Sequence, residues 1–526
     1  MTGTSVEQPA AGLTSSKAVL VLDALDHVAV ALRDLAAGEQ VDLGAGTVTV
    51  VDAIPAGHKV ATRAVDPGTA VLKYGTPIGA ASAAIPAGAH VHTHNLAPVV
   101  SERPGGTTQE ATTTLPASLL DASFEGFRRS TGRVGTRNYI GVLTTVNCSA
   151  TPARLAARRL NDELATGPSA TASGGSVDGV VALTQRSGCA IGDASLDILR
   201  RTLTGYADHP NFGGVVVLGL GCETNQVGDL RALIEARDDR PVTFLNIQDL
   251  GGTASTVDAM VAAVEAMLPV VSAARRERVP AGALVLGNEC GGSDGYSGIT
   301  ANPVMGRAGD LIAALGGSFA FGETPEIHGA EHLLIARARA ASVVARLQAT
   351  LGWWADYLTR AGGELDNNPS PGNKAGGITT IYEKSLGAMA KGGRSAPLNA
   401  VLGYAEPITE PGLSFMDTPG YDPVSVTGLI AGGANVVCFS TGRGSVFGSK
   451  PVPSIKVSTN SALAARMPDD IDFDAGVVVG TDTTVEAAAE SLLHRILAVA
   501  SGRPTCSEVL GFGDEEYVPW DVGPTL

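Results

Sequence analysis

From Lys17 to about Leu96 the apolar residues come in short runs of β type: AVLVLD, HVAVAL, QVDLGAGTVTVV, KVATRAV, TAVLKYG and HVHTHN. Four turn phrases separate them, LAAGEQV, IPAGHKV, VDPGTAV and IPAGAHV. Each sets a glycine where a tight turn needs positive φ just before a strand returns. The pattern predicts a small, mostly β domain of hairpins over residues 16–96. Residues 1–15 read as a disordered tail. Residues 97–123 carry Pro, Gly, Ser and Thr without periodicity, which is the texture of a linker.

Beyond the linker the period changes. NYIGVLTTV leads into an Ala/Arg helix, GVVALTQ into DASLDILRRTL, GVVVLGLGCE into QVGDLRALIEA, and PVTFLNI into a long apolar helix ending near Val279. A second series begins at ALVLGNECGG. It includes a long helix over about 329–360, then GLSFMDTPG, NVVCFSTGRGS, DFDAGVVVG and a closing helix from Thr484 to about Ala500. Apolar strands alternating with amphipathic helices predict largely parallel sheets covered on both faces. The fold class is therefore α/β, with a β domain followed by α/β regions at 124–280 and 281–526. Between the elements of the last region, DNNPSPGNKAGGITTIYEKSLGAMAKGG reads as a long functional loop.

Composition narrows the function. The chain is 44% hydrophobic and 4% aromatic, with a formal net charge of −16. This acidic balance speaks against a nucleic-acid surface, which clusters Lys and Arg. No stretch reads as a membrane span, and MTGTSVEQPAAG lacks a signal peptide's basic and apolar regions. A cytoplasmic protein with reduced thiols is expected, in which metal binding or catalysis outranks disulfides.

Four cysteines, Cys148, Cys189, Cys222 and Cys290, each follow a predicted strand, at the edge where open parallel sheets bind ligands. Four thiols at one sheet edge suggest a metal or reactive centre; small inert cysteines are the competing reading, since there is no CxxC pair. His90, His92 and His94 alternate along a predicted strand and so share a face, as metal ligands, as a base, or as incidental residues of a solvated edge. ECGGSDGYSGITANP packs Cys290, Asp294 and Asn302 among glycines ahead of a helix, able to hold an anion or handle protons. Lys374 sits on a Gly-rich segment without phosphate-loop spacing, and Thr441, Arg443 and Arg137 offer carboxylate-binding groups. Glu323, Glu326 and Glu331 serve either as acid–base or metal-ligating carboxylates or as the negative start of a helix. No GxGxxG dinucleotide fingerprint is present.

These phrases together resemble the altronate and galactarate dehydratase family. In the N-terminal part the likeness rests on DHVAVALRDL, IPAGHKVA, LKYGTPIG and HVHTHN, similar to that family's SAF-type (β-clip) domain. Further on it rests on GRVGTRNYI, GLGCETNQV, ECGGSDGYSGITANP, ETPEIHGAEHL, NPSPGNKAGGITT, FMDTPGYDPVSVTG and FSTGRGSVFG. The resemblance implies a cytoplasmic, homo-oligomeric hydro-lyase. It would remove water from a polyhydroxy carboxylate to give a 2-keto-3-deoxy acid, D-altronate first, with galactarate or another aldonate or aldarate as the alternative and a non-catalytic sugar-acid binding module as the last reading. It further implies a divalent metal, Fe(II) with Mn(II) as the alternative, or an iron–sulfur cluster in a rival reading. A related branch splits sulfite from sulfolactate. On that basis His92, His94, Cys148, Cys189 and Cys222 are the expected metal ligands. Cys290, Asp294 and Lys374 are the expected acid–base groups, and Arg137, Asn302, Thr441 and Arg443 the expected substrate holders.

Overall fold

The computed structural model describes residues 17–98, 113–166, 176–235, 240–365 and 368–523. The tail at 1–15 and much of the expected linker lie outside these residues.

The turn phrases behave as their glycines require. Gly38, Gly57, Gly68 and Gly88 have φ of 82, 82, 80 and 82°. Between them run the antiparallel strands of the small domain. Val19–Leu20, Val28–Ala31, Lys59–Ala61 and His90–Val91 form one sheet, and Ala70–Lys73, Thr76–Ala81 and Leu96–Ala97 another. The strand expected through His94 stops at Val91, because Asn95 turns the chain by accepting from His92 N and donating to His90 O.

The middle region is a four-stranded parallel sheet built from β1 (Tyr139–Thr144), β2 (Gly179–Leu183), β3 (Phe212–Gly219) and β4 (Val242–Asn246). Their order is β2-β1-β3-β4. All eight residues of β3 are buried, as befits a strand covered on both faces. The apolar helix expected to end near Val279 stops at Val271, and Glu277–Pro280 instead pairs antiparallel with Ser123–Arg128. That pairing ties the two ends of the middle region together. The helix Thr253–Val271 is long and apolar enough to cross a membrane by length and composition, contrary to the sequence expectation. Here its Met260, Val264 and Met267 pack against the sheet.

The last region holds seven parallel strands: β5 (Val285–Cys290), β6 (Ser318–Phe321), β7 (Leu398–Leu402), β8 (Gly412–Met416), β9 (Val436–Thr441), β10 (Ser454–Ser458) and β11 (Phe473–Asp474). Their order is β7-β8-β6-β5-β9-β10-β11. The closing helix is Val485–Ala500, with the Thr484 side chain capping its start. The long helix expected over 329–360 is broken into His332–Ile335 and Ala341–Ala361. The expected loop after it contains two helices, Pro371–Ala375 and Ile381–Met389. Ser370 and Thr380 cap them, Ser370 in a full capping box with proline at the first turn. Those caps were readable in SPGN and TTIYE.

Candidate active site

The carboxyl ends of β5, β6 and β8 carry a buried set of ionisable groups. β5 delivers Glu289 and Cys290 as its last two residues. The chain leaving β6 sets Glu323 at φ 71°, a left-handed conformation unusual for a side chain of its size. Its amide donates to Thr418 Oγ1 at 2.6 Å, which helps fix that turn. Glu326 follows on a 3₁₀ turn, and Asp422 opens the helix after β8. The helix Ile381–Met389 and the 3₁₀ turn after it bring Lys384 and Lys391 from the other side.

The contacts are specific. The Cys290 thiol donates to Glu323 Oε2 at 3.4 Å and receives Lys391 Nζ at 3.2 Å. Lys391 also pairs with Glu323. Lys384 Nζ reaches Glu326 Oε1 at 2.6 Å and Asn368 Oδ1 at 2.7 Å, while Asn368 Nδ2 donates to the same Glu326 oxygen at 2.6 Å. Burial pushes the Cys290 thiol well up, and Glu323 adds to this, so the sulfur holds its proton. Burial also raises Glu326, helped by Glu323. Burial works against Glu323 in the same way, yet the two lysines prevail and hold it below the usual carboxylate range. Asp422 is raised to about 7 by burial and by Glu323 and Glu326. A pocket of about 400 Å³ opens onto Cys290, Glu326, Asn368, Lys384 and Asp422.

The small domain closes one side of this centre. Lys59 Nζ and Lys73 Nζ each bind Glu383 at 2.9 Å, all three side chains being at most 2% exposed. Tyr296 Oη donates to Ala31 O at 2.7 Å, and Val30, Tyr296 and Ile299 form an apolar patch. Gly295 is required here, since a Cβ on it would lie 1.9 Å from Gly57 O. Lys73 and Tyr74 thereby line a space shared with Cys290, Asp294, Asn302 and Lys384.

Imidazoles gather at the same interface, with His58 joining the sequence-selected residues. His92 Nε2 donates to Lys374 O at 2.8 Å, His58 Nε2 donates to Ala375 O at 3.2 Å, and His58 Nδ1 meets His90 Nε2 at 3.0 Å. Burial lowers all three, His90 to about 3. They are neutral docking groups whose Nε2 hydrogens are taken, and His94 is exposed.

The structure redistributes the other expected residues. Cys290 and Asn302 reach the centre; Asn302 accepts from Ser440 Oγ and donates to Gly387 O. Asp294 is a buried hub, its carboxylate accepting from Ser297, Thr459 and Asn460 side chains and from Tyr296 N. Lys374 contributes its carbonyl to the domain interface. Thr441 is buried and accepts from Gly444 N at 3.1 Å, and Arg443 is exposed beside it. Arg137 lies elsewhere, clamped by Glu508 at 2.6 and 2.8 Å. That buried pairing removes it from substrate binding. The expectation of four thiols at one sheet edge is corrected: Cys290 ends β5, whereas Cys148, Cys189 and Cys222 follow β1, β2 and β3 of the other sheet. Neither those three nor His92 and His94 converge on Cys290. Glu331 is half-buried outside the set. Lys384 and Lys391 were missed because, in IYEKSLGAMAKGG, they read as ordinary helix lysines.

A divalent ion has a fitting place in this centre. Among the described residues, donor atoms of Glu289, Glu323 and Asp422 lie within 4.8 Å of one another. Glu289 Oε1 and Glu323 Oε1 are buried without a hydrogen-bond partner, a costly arrangement that a cation would relieve.

A lysine- and carboxylate-lined pocket at the carboxyl edge of a parallel sheet, flanked by a small β domain, suits proton abstraction and elimination on a hydroxy acid. The comparisons put the chain in that class, the sugar-acid dehydratases, which are hydro-lyases. Profiles described as the altronate/galactarate dehydratase SAF domain, the D-galactarate dehydratase/altronate hydrolase second domain and the D-galactarate/altronate dehydratase C-terminal domain match residues 17–98, 126–272 and 281–525. Altronate dehydratase of Escherichia coli (strain K12) is 38% identical over 96% of this chain and 99% of its own length. Altronate dehydratase of Bacillus subtilis (strain 168) is 37% identical over 97% and 100%. Galactarate dehydratase (L-threo-forming) of Escherichia coli is 36% identical over 91% and 92%. The chain belongs to the D-galactarate/altronate dehydratase family.

Proposed function

We propose that this chain dehydrates D-altronate to a 2-keto-3-deoxy acid. The observation that carries the reading is the floor of the 400 Å³ pocket, where Cys290, Glu326 and Lys384 meet. The two altronate dehydratases, matched over nearly their whole length, support the substrate.

The geometry supports the following chemistry. The C2 proton of a hydroxy acid is weakly acidic because the adjacent carboxylate already carries charge. Lys384 and Asn368 hold that carboxylate and offset the second charge of the enediolate. Glu326, raised by burial, is a base closer in strength to its task than an exposed glutamate, and takes the C2 proton. The Cys290 thiol gives its proton to the departing 3-hydroxyl, and Lys391 at 3.2 Å stabilises the thiolate left behind. The enol then tautomerises to the keto acid. Glu289, Glu323 and Asp422 would hold a divalent ion, Mn(II) or Fe(II), whose Lewis acidity suits an enediolate.

An anaerobic turnover assay with Fe(II), Mn(II) and Mg(II) tests this. It should cover a panel of aldonic and aldaric acids and read 2-keto-3-deoxy product. Selective turnover of altronate is expected. Preference for galactarate would overturn the substrate, and silence across the panel the reaction.

A further inference from the structure

All three tryptophans of the chain, Trp353, Trp354 and Trp520, meet at one place outside the dehydration centre. Trp354 and Trp520 stack at 5.5 Å with 8° between their planes, and Trp353 lies edge-on to both. Trp353 also stacks on Tyr357 at 4.8 Å, and it is 37% exposed. So large an apolar ring left open to water marks a surface that something else can cover.

The open face belongs to a cavity of about 540 Å³, larger than the pocket at Cys290. The helix Asp193–Ala207 of the middle region forms one wall, and the helix Ala341–Ala361 of the last region forms another. Trp353, Trp520 and Tyr404 supply aromatic surface, and Arg201, Arg346, Asp197 and Asp417 stand among them. The two cavities share no lining residue.

The polar groups are only partly engaged. Arg201 Nη1 donates to Tyr404 O at 2.9 Å, and Glu406 pairs with Arg346 and stands 3.9 Å from Arg201. A guanidinium carries several N–H donors in a fixed fork, so both keep donors for a ligand. Asp417 accepts from Trp354 Nε1 at 2.7 Å and from Thr324 Oγ1 at 2.6 Å, both on Oδ1. Those bonds fix the carboxylate and leave Oδ2 as an acceptor. Forked donors, carboxylate acceptors and flat aromatic faces together suit one chemistry. The hydroxyls of a sugar chain need donors and acceptors at once, while its C–H face packs on rings. A purely apolar ligand would strip water from four charged groups and return nothing to them.

We propose that this cavity is a second, non-catalytic binding site for a polyhydroxylated carbon chain, carried by a sugar acid or a neutral sugar. The carbon face lies on Trp353 and Trp520, and the hydroxyls meet Asp417 and the two guanidiniums. The site ends close to the dehydration centre, because Thr324, which Asp417 holds, follows Glu323. It stands on this cavity alone and not on the reaction proposed at Cys290.

The test is tryptophan fluorescence of the full chain, since every tryptophan belongs to this cluster. The probes are D-gluconate, mannitol and hexanoate: a sugar acid, a neutral polyol and an acid without hydroxyls. A saturable change with gluconate or mannitol, and none with hexanoate, is expected. Which polyol responds more strongly tells whether the arginines take a carboxylate. Arg346→Ala should weaken binding of that polyol about tenfold or more, the worth of a hydrogen bond to a charged group. Trp353→Ala should abolish its binding in calorimetry, with circular dichroism unchanged for both variants. Silence with both polyols overturns the proposal. So does an equal response to hexanoate, or a response that survives both substitutions. A spectrum that changes on dilution of the protein alone shows that a second copy covers the cavity, and overturns it too. None of these readings uses turnover, so a failure here leaves the dehydratase assay undisturbed.

Discussion

The two parallel sheets of this chain share an architecture and differ at the edge that matters. The seven-stranded sheet ends in a dry knot of charges, with Glu289, Glu323 and Lys391 fully buried beside Cys290. The four-stranded sheet ends in water, with three exposed thiols on loops that carry Arg186 and a hydrogen-bonded Glu223. The same strand-end geometry thus serves opposite electrostatic designs. What separates them is coverage: the small domain and the 368–392 segment seal the first edge, and no described element seals the second in this way. Burial, more than residue type, determines what a strand-end cysteine does.

Substitutions can test that contrast. The largest effect is expected at Glu326, where Glu326→Gln should cut kcat by about 10²–10⁴-fold, the usual worth of a positioned base. Steady-state kinetics that find kcat within a few-fold of native would remove Glu326 from the chemistry. Next is Lys391→Met, which leaves Glu323 buried and unpaired. A destabilisation of about 3–5 kcal/mol is expected from denaturant titration.

Glu383→Gln should cost a similar or slightly smaller amount, because it strands Lys59 and Lys73 at the interface. Its pH dependence has a definite sign. Burial acts to raise Glu383, but the two lysines more than offset it and hold the group below its ordinary 4.5. A depressed carboxylate contributes stability that is full above the unfolded value and is lost as pH falls towards the folded one. The native chain should therefore lose stability below about pH 4.5 more steeply than Glu383→Gln, as read by thermal melts across pH. Parallel profiles would contradict the ion pairs' role. The smallest effect belongs to the open edge: in metal-free protein, serine at Cys148, Cys189 or Cys222 should shift stability by no more than about 0.5 kcal/mol. A larger loss at any of them would show that this edge is less open than its exposure indicates.

Much of the scaffold was legible in the sequence. The glycine of each turn phrase, the period change after the linker and the Thr484 cap all carry local physical signals that the structure repeats. The ECGGSDG loop also identified Cys290. The rest of the centre was not legible, because its assembly is non-local. Lys384 lies on the helix Ile381–Met389 and Lys391 on the 3₁₀ turn after it, and nothing in KSLGAMAKGG distinguishes a buried lysine from a solvated one. Asp294 looked reactive for the same reason it is structural, being a carboxylate among small polar residues. Arg137 looked like an anion clamp because its partner Glu508 is 371 positions away. The thiols misled differently: each was correctly placed after a strand, but a strand pattern does not say which sheet the strand joins.

The Lys59–Glu383–Lys73 contact also bears on how the chain comes together. The lysines wait for a carboxylate 324 and 310 positions further along. While synthesis proceeds, the small domain can complete its hairpins from local sequence, but the face that will be sealed keeps two hydrated ammonium groups. Those charges discourage premature association of that face with other apolar surface. The interface becomes dry only once the Glu383 helix exists to neutralise it, so a single carboxylate acts as the signal that the chain has been made far enough to close.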